Sequence, residues 1–255
     1  MFNPNILDIT IVGPAFIAGL LVLASHVPLG REVLKRGIIF IDLAIAQIAA
    51  LGVILAARFG FETHGWEVQL IAISSALIGA WGLSLLEKHQ PQIQEALIGV
   101  AFILAATGGI LLLADHPHGG EQLEALLIGQ ILWITWDQLL PLAVATLIIL
   151  LAWVKFHGQR PLAFYLLFAV AITSSVQLVG VYLVFASLII PALASRGFTT
   201  GRSLGLAYGV GVLGYGLGLI GSSLLDLPSG AVIVWVMAVL APLLRAIFRG
   251  GKQTN

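Results

Sequence analysis

Asp42 is the only ionisable side chain that the sequence places inside an apolar stretch of membrane-spanning length. A carboxylate at the centre of an inserted helix costs roughly 2.5–3.5 kcal/mol, so such groups face a bundle interior or a wet pathway. Gln47 follows on the same stretch. Five helical steps turn its direction about 140° from that of Asp42, so the two can border one broad cavity without sharing a face. The plainer reading is that Asp42 lies near a membrane edge and pairs with Lys35 or Arg36.

The run Asp115-His116-Pro117-His118-Gly119-Gly120-Glu121 gathers two imidazoles and two carboxylates. These are ligands suited to zinc-like cations, but their spacing matches no closed site. His116 and His118 are therefore candidates for outer-loop metal capture, against the simpler reading of a solvated polar loop. Gly209-Val210-Gly211-Val212-Leu213-Gly214 has the spacing of a dinucleotide fingerprint. That motif needs a preceding strand, whereas here it lies in an apolar span. Its glycines suit close helix packing in lipid, where small residues let backbones approach. H-E-x-x-H, G-x-S-x-G and the P-loop are all missing, so the reading is non-enzymatic, with no permanently bound cofactor.

Long helices must hold these groups. Of the 255 residues, 59% are hydrophobic and only 9% charged, whereas soluble domains carry about 25% charged residues. Zero net charge argues against a nucleic-acid partner. The lack of cysteine excludes disulfides and thiolate chemistry. Backbone polar groups in lipid must be satisfied internally, and the apolar runs do not alternate as barrel strands do. The expected fold is an all-α membrane protein in contact with the lipid bilayer, a polytopic bundle of about eight or nine transmembrane helices. Residues 1–255 are expected to form a single transmembrane domain.

Candidate spans fall at 9–27, 37–57, 67–86, 93–114, 138–155, 161–176, 177–195, 203–225 and 229–248, with a short surface helix over Leu123–Ile134. Basic residues favour cytoplasmic loops. With the N-terminus outside and the C-terminus cytoplasmic, all Lys and Arg residues except Arg58 fall on the cytoplasmic side. Asp8, Glu62, Glu67, Asp115, Glu121, Glu124, Asp137 and Asp226 fall opposite. This partition requires residues 161–195 to break near Ser174–Gly180, giving nine passes; an unbroken helix gives eight and sends Arg196 and Arg202 outside.

Four stretches resemble the permease subunits of ABC importers for zinc, manganese and iron. They are Pro28-Leu29-Gly30 with Val33-Leu34-Lys35-Arg36 and, beyond, Gly52-Val53; Leu126-Leu127-Ile128-Gly129-Gln130-Ile131-Leu132; Val179-Gly180-Val181-Tyr182-Leu183-Val184 running to Leu188-Ile189-Ile190-Pro191-Ala192; and Leu225-Asp226-Leu227-Pro228-Ser229-Gly230-Ala231-Val232-Ile233. They occur in the family's order and cover most of the chain. The resemblance implies an inner-membrane permease homodimer, two cytoplasmic ATPase subunits that hydrolyse ATP, an extracytoplasmic metal-binding protein and a transported divalent metal. It also implies that Ala194–Gly205, with Arg196 and Arg202, docks on the ATPase, and that Asp42, Gln47 and Asp226 belong to the translocation pathway.

The chain departs from the family at one motif. The family's second span carries G-D-x-x-x-H; an ungapped alignment sets Asp42 on its glycine, Leu43 on its aspartate and Gln47 on its histidine. A one-residue shift recovers Asp42 but sets Ala46 on the histidine. The segment Lys155–Pro161 is also short for the family. A neutral amide is a weaker ligand for a borderline cation than imidazole or carboxylate, so the identity of the metal does not follow. The other reading of the chain is an ion-coupled secondary transporter of a small cation or solute, with Asp42 as the coupling group.

Overall fold

The computed structural model describes residues 9–61, 66–115, 119–156 and 161–250. In order, the helices are α1 (Ile9–Arg36), α2 (Ile41–Arg58), α3 (Trp66–His89), α4 (Gln94–Leu113), α5 (Gly119–Ile128), α6 (Trp136–Phe156), α7 (Pro161–Val179), α8 (Val181–Ala194), α9 (Thr200–Leu225) and α10 (Ser229–Gly250). A short 3₁₀ turn, Ile131–Trp133, precedes α6. No strand occurs among the described residues. Among the described residues, eight helices are long and apolar enough to cross a membrane, and the apolar α8 is shorter, at 14 residues.

α1 continues past Pro28 instead of ending at 27. A proline inside a helix removes the hydrogen bond to the carbonyl four residues earlier. Here that carbonyl belongs to Ala24, and the Tyr208 hydroxyl of α9 donates to it at 3.3 Å. The lost bond is thus replaced from a neighbouring helix, and the helix persists.

The anticipated break in 161–195 falls at Gly180, between α7 and α8. Gly180 has φ 82° and Gly129 φ 71°. Their backbones touch: a Cβ on Gly129 would overlap the Val179 carbonyl, and one on Gly180 would overlap the Gly129 nitrogen. Only glycine combines a positive φ with such an approach. The same residue alters the expected surface helix over Leu123–Ile134. α5 ends at Ile128, Gly129 turns the chain, and only the 3₁₀ turn follows.

Cross-helix contacts define two ends of the bundle. Arg36 bonds Glu87 at 3.0 Å and sits over Phe164, while Arg245 donates to Leu193 and Ala194. These contacts gather the end of α1, the end of α3, the start of α7, the end of α8 and the end of α10. At the opposite end, Arg58 donates to the Leu112 carbonyl, Gly129 meets Gly180, and Gly230 abuts the Ile128 carbonyl. α7 therefore runs toward the Gly129 end and α8 returns from it, side by side with α10. The main core cluster includes Ala18, Val22, Ile41, Ile45, Phe168 and Leu188.

Candidate functional site

α2 starts at Ile41 without a side-chain cap of its own. Glu95 of α4 supplies the substitute, accepting the Phe40 N–H at 3.1 Å through Oε1. That bond fixes the first turn of α2, which carries Asp42. Asp42 is 1% exposed, and its Oδ1 has no hydrogen-bond partner; the Oε2 of Glu95 has none either. A buried carboxylate oxygen without a partner carries a heavy desolvation cost.

Pairing of Asp42 with Lys35 or Arg36 is not what the structure holds. Lys35 lies 3.6 Å from Glu32, and Arg36 bonds both Glu32 and Glu87 at 3.0 Å. The Arg36 guanidinium also stacks 4.4 Å from the centre of the Phe164 ring. Local i,i+3 and i,i+4 geometry on α1 favours Glu32 as their partner, and neither cation pairs with Asp42.

Gln47 lies further along α2 and is 8% exposed. Asp226 is elsewhere: it closes α9 at the opposite end, exposed, with φ 52°. Aspartate is among the few side chains that tolerate this conformation. The turn is sealed by the Leu227 N–H on the Ser222 carbonyl at 3.2 Å and the Ser222 hydroxyl on the Leu227 carbonyl at 2.6 Å. Asp226 is thus not brought to Asp42 and Gln47, and what the structure gives it is a turn. His116 and His118 lie outside the described residues, between the exposed Asp115 and Glu121. No group of three metal-ligating side chains occurs among the described residues. Arg196 and Arg202 are both exposed at the basic end, in the turn after α8 and the first turn of α9.

Asp42 is not the sole ionisable group inside the bundle. His26 of α1 is 0% exposed, with Nδ1 2.9 Å from the Val22 carbonyl and Nε2 3.2 Å from the Ser175 hydroxyl of α7. The network assigns the proton to Nδ1, leaving Nε2 to accept from Ser175. The available signal was a histidine within an apolar run two residues before Pro28. Placing the span's end at 27 set that histidine at the membrane edge.

A second polar face of α7 was also missed. Thr173 and Gln177, four residues apart, share a face nearly opposite Ser175. Gln177 accepts a hydrogen bond from Gln69 of α3. The Thr173 hydroxyl and the Gln177 amide nitrogen lack partners. An apolar groove of about 500 Å³, which Asp42 does not line, runs between α2 and α4 along Phe40, Leu43, Gly99 and Phe102.

Long apolar helices, buried unpaired polar atoms along α2 and α7, and a basic turn at one end describe a multi-pass helical membrane protein. The chain matches the family model described as ABC 3 transport family over residues 8–248, and it belongs to that family. An uncharacterised membrane protein of Synechocystis is 28% identical, with 92% of this chain and 89% of that protein covered. The manganese transport system membrane protein MntC of Halalkalibacterium halodurans is 26% identical, with coverage of 99% and 91%. Among solved structures, PsaBC from Streptococcus pneumoniae in complex with Fab superposes with a TM-score of 0.71 at 22% identity, covering 91% of this chain and 90% of that one. The expected all-helical permease architecture is therefore the observed one.

Proposed function

We propose that this chain is the membrane-spanning permease of an importer for a divalent metal cation, driven by a separate ATPase. Membership of the family and similarity to a manganese transport membrane protein support this reading. The single observation that carries the site is the buried Oδ1 of Asp42 with no partner, beside the half-used Glu95 carboxylate. Oxygen ligands of this kind suit manganese and similar hard cations. Gln47 would add a neutral oxygen on the same helix. Asp226 would act at the outer mouth, as a turn residue and not as a ligand beside Asp42, and His116 and His118 would collect the ion there.

In this reading the chain is one membrane domain in the inner membrane and works as a homodimer. Its basic end faces the cytoplasm, so the N-terminus lies outside and the C-terminus inside. The turn with Arg196 and Arg202 docks on the ATPase, and an extracytoplasmic metal-binding protein delivers the ion. No cofactor is held permanently, because the metal is the cargo.

Reconstitution with the ATPase and binding protein tests the proposal. Manganese(II) uptake is expected to require ATP and to fall about tenfold or more in Asp42→Asn, the scale of a lost charge-assisted contact. Uptake that follows a proton gradient without ATP would reject the importer. A reporter fused after Lys252 that reads extracytoplasmic would reject the orientation.

A further inference from the structure

α8 is the shortest of the apolar helices, and it leads directly into the exposed turn that carries Arg196. One residue from a distant part of the chain closes its end. Arg245 of α10 donates through one guanidinium nitrogen to the Leu193 carbonyl at 3.1 Å and the Ala194 carbonyl at 2.5 Å. The last carbonyls of a helix have no partner within it, and a cation there also meets the negative end of the helix dipole. The same guanidinium lies 5.5 Å from the centre of the Phe198 ring. Arg245 thus touches both sides of the turn at once.

The surroundings bind these parts together further. Ala194, Leu206 and Val210 form a small apolar cluster separate from the main core, with Ile190, Phe198, Ala241 and Leu244 packed against it. The cluster therefore joins the end of α8, the turn, the start of α9 and the end of α10. By contrast, Gly197, Gly201 and Gly205 have open space where a Cβ would sit. Gly197 in the turn and the first two glycines of α9 thus face open space, while Phe198 and the end of α8 are fastened on the inner side.

We infer that Arg245 is a positioning residue that locks the turn Ser195–Thr199 to α10 and α8, so that a push on the turn moves these elements as one body. The inference rests on the reading that an ATPase docks on this turn. α8 and α10 run side by side from the basic end to the other, where Gly180 meets Gly129 and Gly230 abuts the Ile128 carbonyl. A displacement of the turn is therefore carried along two parallel rods to the far end of the bundle. Without Arg245 the turn can yield alone, and ATP is hydrolysed without moving the rods.

The test uses the whole complex in proteoliposomes and reads manganese(II) moved per ATP hydrolysed. Arg245→Gln is expected to lower that ratio about tenfold, the scale of a charge-assisted bond to a helix end, with ATPase still bound and hydrolysing. Arg245→Lys keeps a cation near both carbonyls and should restore most of the ratio. Phe198→Leu keeps the apolar contact but removes the ring face, and should lower the ratio about twofold, as expected for a weak cation–π contact.

A ratio unchanged in Arg245→Gln, or a ratio in Arg245→Lys as low as in Arg245→Gln, would overturn the inference. Should Arg245→Gln not assemble, Phe198→Leu and Arg245→Lys decide: both at the wild-type ratio overturns it, and a ratio lowered in Phe198→Leu sustains it. The docking reading is tested separately by Arg196→Glu with Arg202→Glu. Full co-purification of ATPase with that variant defeats docking on this turn, whatever Arg245 does.

Discussion

The bundle has two regions that handle buried polar groups in opposite ways. In α1, α8, α9 and α10, backbones meet through glycine and hydroxyls find partners. Tyr215 lies against Gly19, Leu23 against Gly211, Met237 against Gly214 and Ile233 against Gly218. The Tyr215 and Ser187 hydroxyls bond at 2.9 Å, and Tyr208 satisfies Ala24. In the other region, α2, α4 and one face of α7, the packing is looser in polar terms. The unpartnered buried side-chain atoms among the described residues all fall here, on Asp42, Glu95, Thr173 and Gln177. α7 belongs to both regions: its Ser175 side is bonded to His26, while its Thr173 side is left unpaired.

The difference separates scaffold from site. A satisfied, glycine-fitted interface holds one arrangement, because neither a partner nor a gap is left over. Unpaired polar atoms in a low-dielectric interior are costly, and in a transporter they are the groups that meet cargo or water. The scaffold region also includes α8 and α10, the two elements fastened to the basic turn.

The largest effect expected from this contrast is in the scaffold. A Cβ at position 30 would overlap the Leu188 carbonyl, which is backbone and cannot swing aside. Gly30→Ala should cost about 3 kcal/mol or more, read as lost yield and a lower Tm in detergent. Gly209→Ala, where a Cβ meets nothing, should stay within about 1 kcal/mol of wild type. Equal Tm values for the two would end the claim that close approach matters at position 30.

Next in size is Ser187→Ala, which leaves the fully buried Tyr215 hydroxyl without its side-chain partner. A loss of about 1–3 kcal/mol is expected from an unsatisfied buried donor, measured by thermal melting. Tyr208→Phe should follow at about 1 kcal/mol, because it frees the Ala24 carbonyl beside Pro28. A melt unchanged in Tyr208→Phe would mean that the helix tolerates Pro28 without this bond.

The smallest effect belongs to the other region. Thr173→Val replaces an unpartnered hydroxyl with a methyl of similar shape, so stability should be unchanged or higher by about 0.5–1 kcal/mol. A clear destabilisation would show that Thr173 is satisfied in the folded protein, and the contrast between the regions would weaken.

Much of this architecture was legible from residue types alone. Hydropathy and length marked the spans, and the distribution of Lys and Arg required a break that the structure sets at Gly180. The same reasoning overlooked His26 and the Thr173–Gln177 face, because a single polar residue in an apolar run does not disclose which neighbour it meets. It also grouped Asp226 with Asp42 and Gln47. Depth along the helices separates them, and depth follows from which helices run side by side.

The chain's composition and the periodless length of its apolar runs determined by themselves that it is a helical membrane protein, since lipid accepts few other backbones. The resemblance of its motifs pointed to the transport family. Only the tertiary structure decided which polar groups are paired. Glu87 takes Arg36, Ser175 takes His26, and Arg245 closes α8 from 51 residues away. Such choices turn on distances of a few ångströms between helices remote in sequence, and no local pattern of residues encodes them.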